Sequence, residues 1–368
     1  MSMNKWHVLT LLFIVAVIFL ALVLTYFKEE SPKLISLMKS DSPIVGIEKI
    51  DENRFLLTFM KSLVEHEDRT TVYFGEGKIS VVRINQNNQN IAVKELWNYT
   101  LSRYSIFSFP CVTNESIIIA TVGSPNAHKY SEILRISLDN YKIEKIITLK
   151  DYVLKINLFK DKTILVTGFD VKKKVGKVIL IRNSSKIFEE ELGNKTIGSL
   201  IFDVNKDGRD DFIVSNVIFD DHNTSSFISI FMNALGGFKE TKRIEIPDEM
   251  IWDMKFVNLG KKGIALFSPK SIHLLNLTSG KVKKIFETEK GYYLSSVETF
   301  DFDHDGFDEF FGVYHNETQS YFVELKYSKG TLFPIFKHPV NLKGFIVKWM
   351  RDGDFLIGSV EGLYITSI

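Results

Sequence analysis

The sequence predicts an all-β chain, a seven-bladed β-propeller carried behind an N-terminal transmembrane helix. Three observations lead there. An acidic loop occurs twice, 98 residues apart, each time followed at once by a strand-like run. Short apolar runs separated by Gly, Asn, Asp and Ser recur along residues 43–368, at a spacing that suits a repeated sheet unit. Val8 to Phe27 is a stretch of twenty residues without a charge.

Residues 1–7 are expected in the cytoplasm and residues 8–27 in the membrane. At 1.5 Å per residue such a helix crosses a hydrocarbon core of about 30 Å. The run ends in Thr25-Tyr26-Phe27-Lys28, a poor cleavage site, so an uncleaved signal anchor is favoured over a cleaved leader. Charge alone orients it weakly: Lys5 and His7 precede the span, and Lys28, Glu29, Glu30 and Lys33 follow it. Asn-x-Ser/Thr sequons add a second argument. They stand at Asn98, Asn114, Asn183, Asn194, Asn223, Asn276 and Asn316, where composition would give roughly three. Body outside and N-terminus inside is the expected topology, a single-pass protein with most of the chain extracytoplasmic.

Residues 28–42 read as a short linker holding a candidate strand, Leu34 to Met38. The propeller then occupies 43–368. Its ruler is the 98-residue spacing, twice 49. Between and around the acidic loops the same element recurs. Val45–Glu48 leads to Phe55–Thr58, Ser105–Ser108 to Ser116–Ala120, and Val153–Phe159 to Thr163–Gly168. Met254–Gly260 leads to Gly263–Phe267, and Phe345–Trp349 to Phe355–Gly358. A third apolar strand and a more polar fourth follow in most units, such as Phe227–Phe231 and Glu240–Ile246. Four strands with a polar last one describe a propeller blade. The seventh unit has room for only three strands before Ile368. Leu34–Met38 is the expected donor of the fourth, since an open ring leaves an unpaired edge.

The acidic loops are Asp203-Val204-Asn205-Lys206-Asp207-Gly208-Arg209-Asp210-Asp211 and Asp301-Phe302-Asp303-His304-Asp305-Gly306-Phe307-Asp308-Glu309. Oxygen side chains stand at positions 1, 3, 5 and 9, with Gly at position 6. This spacing wraps oxygens around one hard cation, Ca²⁺ above all, and the Gly gives the turn its backbone freedom. The expected ligands are Asp203, Asn205, Asp207 and Asp211 in one loop, and Asp301, Asp303, Asp305 and Glu309 in the other. Arg209 and Phe307 would add backbone carbonyls. An EF-hand is excluded, because position 12 is Val214 or Gly312 rather than Glu. Ordinary polar turns are the plain alternative, but the match occurs twice in the same strand context.

The loops and the strands after them resemble the FG-GAP and VCBS repeats of integrin α-subunit propellers and related surface proteins. The resemblance rests on residues 203–216 and 301–314 and is architectural elsewhere. It implies a cation loop in the first hairpin of a blade, here in two blades of seven; the FG and GAP landmarks themselves are missing.

Other chemistry is sparse. The net charge of +1 gives no reason to expect a nucleic-acid partner. Cys111 is the sole cysteine, which excludes an intrachain disulfide, and reads as a small buried hydrophobe. No nucleophile elbow, zinc-protease motif or phosphate-binding loop is present. Asp220-Asp221-His222, Asp51-Glu52 and Glu65-His66-Glu67-Asp68 read as solvated loops. Trp97, Trp252 and Trp349 read as packing aromatics, with a carbohydrate groove as the alternative. The expected protein is a non-enzymatic, membrane-anchored surface propeller with two structural calcium ions and a protein or glycan partner. An envelope-assembly or secretion scaffold is the second reading. A propeller glycoside hydrolase or lyase, with carboxylates in the central channel, is the third.

Overall fold

The computed structural model describes residues 34–367, apart from breaks at 68–69, 88–89, 102–104, 124–130, 220–222, 235–236, 317, 341–343 and 352. The expected membrane segment 8–27 and the Asp220-Asp221-His222 cluster lie outside the described residues. Among the described residues no helix is long and apolar enough to cross a membrane.

Seven antiparallel sheets follow one another along the chain. They span 44–100, 105–149, 152–192, 195–246, 253–287, 293–340 and, last, 344–367 together with Ile35–Lys39. These are blades 1 to 7. In most, the strands pair in chain order from the first to the last; in blade 2 the inner strand is split into Ser105–Phe107 and Cys111–Val112, which both pair with Ser116–Gly123, and the final blade takes its outer strand from the other end of the chain. The first strand of one blade neighbours the first strand of the next, as Tyr293–Phe300 does Gly344–Arg351, so first strands are innermost. Burial follows. The second strands are almost wholly buried, as in Asp354–Ser359, while the outer strand Gly237–Ile246 alternates between exposed and covered positions. That alternation is the period-2 pattern of a sheet with one wet face.

The core is divided among the joints between blades. Among the described residues seven hydrophobic clusters occur, each shared by two adjacent blades. Ring closure is therefore a packed joint like the others. Between blades 7 and 1, Met350, Leu356, Leu363 and Ile365 meet Ile44, Phe55, Leu57 and Val82. Between blades 6 and 7, Phe311 packs on Phe355, the rings tilted by 37° with centroids 4.7 Å apart.

The segment expected to complete blade 7 is its outer strand. Ile35 pairs with Ile365 and Lys39 with Gly362, beside the turn joining the second and third strands. Leu37 and Met38 pack on the joint between blades 7 and 1. This register also tells which face the N-terminal segment leaves from. The inner-to-second-strand turns, which include both acidic loops, lie on one face of the ring. The chain enters strand Ile35–Lys39 from that face and leaves it at the other, because Lys39 lies beside Gly362 while Ser367 pairs with Asp354 at the inner-to-second turn.

Blade 1 differs from the expectation. Its second and third strands, Arg54–Glu67 and Thr70–Asn87, pair from Arg54↔Arg83 to Glu67↔Thr70. The inner strand covers this hairpin only up to Phe59, and the outer strand only from Lys78. Residues 60–67 and 70–77 thus extend as a two-stranded arm on the face opposite the acidic loops. Glu65-His66-Glu67, read from sequence as a loop, belongs to this arm. A polar run takes up a strand when its partner across the hairpin supplies the hydrogen bonds, which local composition does not report.

Candidate metal centre

Both acidic loops join the inner to the second strand of a blade, in blades 4 and 6. They share one backbone path. Positions 4 and 6 have positive φ in both: Lys206 64° and Gly208 84°, His304 60° and Gly306 87°. This left-handed region suits Gly and short turns. Open space surrounds both glycines, so the conformation, not crowding, selects them. The position-1 carboxylate collects amide N–H groups across the turn. Asp203 accepts from Asp207 N (3.0 Å) and Gly208 N (2.7 Å), and Asp301 from Gly306 N (3.0 Å). Position 5 caps position 7: Arg209 N donates to Asp207 and Phe307 N to Asp305, both at 2.9 Å.

Position 9 separates the two loops. Asp211 accepts from Val204 N (2.9 Å) through Oδ2 and from Asn233 N (2.7 Å) through Oδ1. Glu309 is also buried and accepts from Phe302 N (2.9 Å) through Oε2. Its Oε1 is buried and has no hydrogen-bond partner; neither has buried Asp301 Oδ1. An unpartnered buried carboxylate oxygen is costly unless a cation meets it. Asp301, Asp303 and Glu309 bring three carboxylate oxygens within 4.8 Å of one another, the only such cluster among the described residues. Asp301, Asp303 and Glu309 would hold a hard divalent ion; Asp305, the fourth expected ligand, is not among the three. In blade 4 the structure gathers no comparable carboxylate group, and Asn205 Nδ2 donates to Asp207 Oδ2 at 3.1 Å.

The field around the blade-6 loop is uneven. Lys326, on the third strand Ser320–Ser328, reaches Asp303 at 2.5 Å, Asp305 at 2.9 Å and Glu309 Oε1 at 3.8 Å. It holds the Asp305 carboxyl below its usual range. Burial raises Glu309, aided by the charges of Asp303 and Asp305. Burial, and then Glu309, push Glu324 up to about 7.

Position 8 carries a role that the sequence reading missed. Asp210 pairs with Lys160 of blade 3 at 2.8 Å, and Asp308 accepts from Asn258 N of blade 5 at 2.6 Å. Asn258 Nδ2 also donates to Gly306 O at 2.8 Å. Each loop is therefore fastened to the preceding blade. The signal was present in the sequence as an Asp at position 8 of both copies.

Two further polar groups needed the structure to be seen. The inner strands carry a chain of ion pairs. Lys155 meets Asp253 (2.8 Å), Lys255 meets Glu298 (3.1 Å), and Lys348 meets both Glu298 (3.3 Å) and Glu48 (3.0 Å). Three lysines thus balance three carboxylates. Burial alone would raise Asp253 and Glu298, but the lysines hold both below the usual carboxylate range. A general acid needs the opposite shift.

The second group sits at the joint of blades 4 and 5, in a groove of about 570 Å³ that Glu249 and His273 line. Ser271 Oγ lies 2.8 Å from His273 Nε2, and Glu249 Oε1 lies 3.2 Å from the same nitrogen. A nucleophilic triad puts serine and carboxylate on opposite ring nitrogens. Here both meet one nitrogen and Ser271 is fully buried, so the group is a clamp. Ser268 and Ser271 also donate to Glu249, at 2.6 and 2.7 Å. Burial would raise the Glu249 carboxyl, yet these partners and His273 hold it at about 2, against an ordinary 4.5. A depressed carboxylate stabilises the fold above its unfolded pKa and loses that contribution as pH falls through the folded value. Glu249→Gln is therefore expected to lower the melting temperature near pH 6, with the gap to the wild type narrowing between pH 4.5 and 2. Melting curves across that range check it; a gap that widens on acidification rejects the clamp.

The other sequence candidates fall as follows. Cys111 is half-buried, and burial pushes its thiol up to about 11, far from a nucleophile's range. Trp97 stacks on Tyr141 at 5.5 Å in the joint of blades 1 and 2, and Trp349 lies 5.0 Å from Phe300 in that of blades 6 and 7. Trp252 packs in the joint of blades 5 and 6. All three tryptophans are packing residues. Of the sequon asparagines, Asn98, Asn114, Asn183, Asn223 and Asn276 are exposed, while Asn194 and Asn316 are half-buried.

The fold and these loops define the molecule as a seven-bladed β-propeller. No protein-family model matches the sequence, and no curated protein does. Among solved structures, the chain is similar to the extracellular domain of a protein assigned as a one-component system in B. thetaiotaomicron. The identity is 10% and the TM-score 0.55, over 92% of this chain and 40% of that one. It is also similar to the β-propeller domain of the Trilobed protease from Pyrococcus furiosus, described as having an open velcro topology. There the identity is 13% and the TM-score 0.48, over 89% of this chain and 94% of that one.

Proposed function

We propose that this chain is a membrane-anchored, extracytoplasmic propeller that binds a protein or glycan partner on the ring face turned away from the bilayer. Calcium in the first hairpins of blades 4 and 6 holds those hairpins to their neighbours. The observation that carries the reading is the closing strand. Ile35–Lys39 takes up the chain directly after the apolar segment 8–27 and enters from the acidic-loop face. Residues 28–33 span at most about 20 Å, so the acidic-loop face lies next to the bilayer. The opposite face then points outward, with the two-stranded arm of residues 60–77. A lone hairpin is marginal in water, and this one gains by resting on a partner.

The channel carboxylates Glu48, Asp253 and Glu298 are paired with lysines. This favours a structural role for them over a hydrolase or lyase site. A scaffold beside a membrane machine differs from the leading reading only in the partner's identity.

Protease added to intact cells is expected to remove the body. Replacing residues 60–77 by a two-residue turn should leave the melting temperature of the ring within a few degrees and abolish crosslinking to the partner on the cell surface. Protection of the body in intact cells, with digestion only after lysis, reverses the orientation and rejects the proposal. Crosslinking that survives loss of the arm moves the partner to another surface.

A further inference from the structure

We propose that Lys326 is the resident cation of the blade-6 loop, an internal competitor that calcium must displace, and that it makes the two calcium sites unequal. This rests on the calcium reading above and adds to it the residue that sets affinity. The ammonium touches two of the four expected side-chain ligands, Asp303 and Asp305, and stands 3.8 Å from the third, Glu309 Oε1. That Glu309 oxygen is buried and has no hydrogen-bond partner, and Glu309 belongs to the carboxylate cluster. The site therefore has buried oxygens left over after Lys326 has taken its share. A divalent ion brings a second positive charge and reaches Asp301 Oδ1 and Glu309 Oε1 together, which one ammonium does not.

Register locates the same position in blade 4. Lys326 follows Leu325, the partner of Phe310; Met232 follows Phe231, the partner of Phe212. Phe310 and Phe212 each come directly after loop position 9. Blade 4 thus has an uncharged Met232, packed on the joint with blade 5, where blade 6 has an ammonium. With no competing ammonium at that position, blade 4 binds calcium without first breaking an ion pair. In blade 6 the ion pairs keep the loop closed when calcium is low, and binding is an exchange of one cation for another. The exchange breaks charge-assisted hydrogen bonds to two carboxylates, so the site is weakened and filled second.

The test is calcium calorimetry on the full-length chain in detergent, with Asp203→Ala and Asp207→Ala silencing blade 4. Lys326→Met and Lys326→Gln should each tighten calcium binding, by about tenfold for two lost ion pairs. Lys326→Arg, which keeps the charge, should bind like the wild type. In the reciprocal chain, with Asp303→Ala and Asp305→Ala, Met232→Lys should weaken the blade-4 site. Melting curves confirm that each variant is folded, and the neutral pair guards against one that is not. Unchanged or weaker binding in both neutral variants overturns the role of Lys326. If the heat still depends on Asp303 and Asp305, the calcium reading survives that result. No calcium heat in any variant overturns both.

Discussion

A chain beginning at Asp41 is expected to melt about 3–6 °C below one beginning at Lys28, and to associate at concentrations where the longer chain stays monomeric. The difference between them includes the outer strand of blade 7, Ile35–Lys39. Removing it uncovers the joint between blades 7 and 1, where Leu37 and Met38 pack, and strips the hydrogen-bond partner from Gly362–Ser367. Lost apolar burial and unpaired ladder groups together cost about 2–4 kcal/mol, which sets the size of the shift. The association follows from a newly exposed strand edge. Gly362→Ala in the full chain should act in the same direction. Gly362 has a φ of 142°, and a Cβ there would lie 2.0 Å from Met38 O. Equal melting temperatures for the two chain lengths would mean that the strand adds nothing to the ring.

Calcium is expected to raise the melting temperature of the protein, and the Asp207→Ala, Asp305→Ala double variant to lose that rise. A ligand at a hundred times its dissociation constant stabilises a folded state by about 2.7 kcal/mol per site. Two independent sites then shift the melting temperature by on the order of 10 °C. Each loop is tied to the preceding blade through Asp210 or Asp308, so a loop left without its cation also loosens a joint. Melting in millimolar calcium against melting in chelator gives the comparison. An equal calcium response in the double variant removes the ion from these loops.

The strands were legible because their signal is local. Runs such as Phe212-Ile213-Val214 and Phe355-Leu356-Ile357 are strand-forming and wholly buried, and turn residues bound them. The closing strand was legible by counting, since a sheet edge needs a partner and one apolar segment of the right length was left over. The acidic loops were legible because their geometry is held within nine residues, by Asp side chains that turn back on their own amides. What failed was pairing that composition does not carry. The arm at 60–77 looked polar at its tip, and only the partner strand makes it a hairpin. Nor did composition carry the state of Glu309, whose buried Oε1 is left without a hydrogen-bond partner.

The sequence by itself determined the elements: the strands, the repeated turn with its ligand spacing, and the number of blades. Each follows from residues within a few positions of one another, through backbone preference, alternation and the short reach of Asp and Asn. Tertiary structure alone decided which distant residues meet. Lys326 stands seventeen residues beyond its loop and reaches it because Leu325 pairs with Phe310. Lys155 meets Asp253, with a whole blade between them in the chain, because the inner strands of all blades gather around one axis. The ring face from which the chain enters the closing strand is likewise set by one register, Lys39 against Gly362. Charge pairing and facing depend on where backbones lie in space, and that is settled when seven packed joints close the ring.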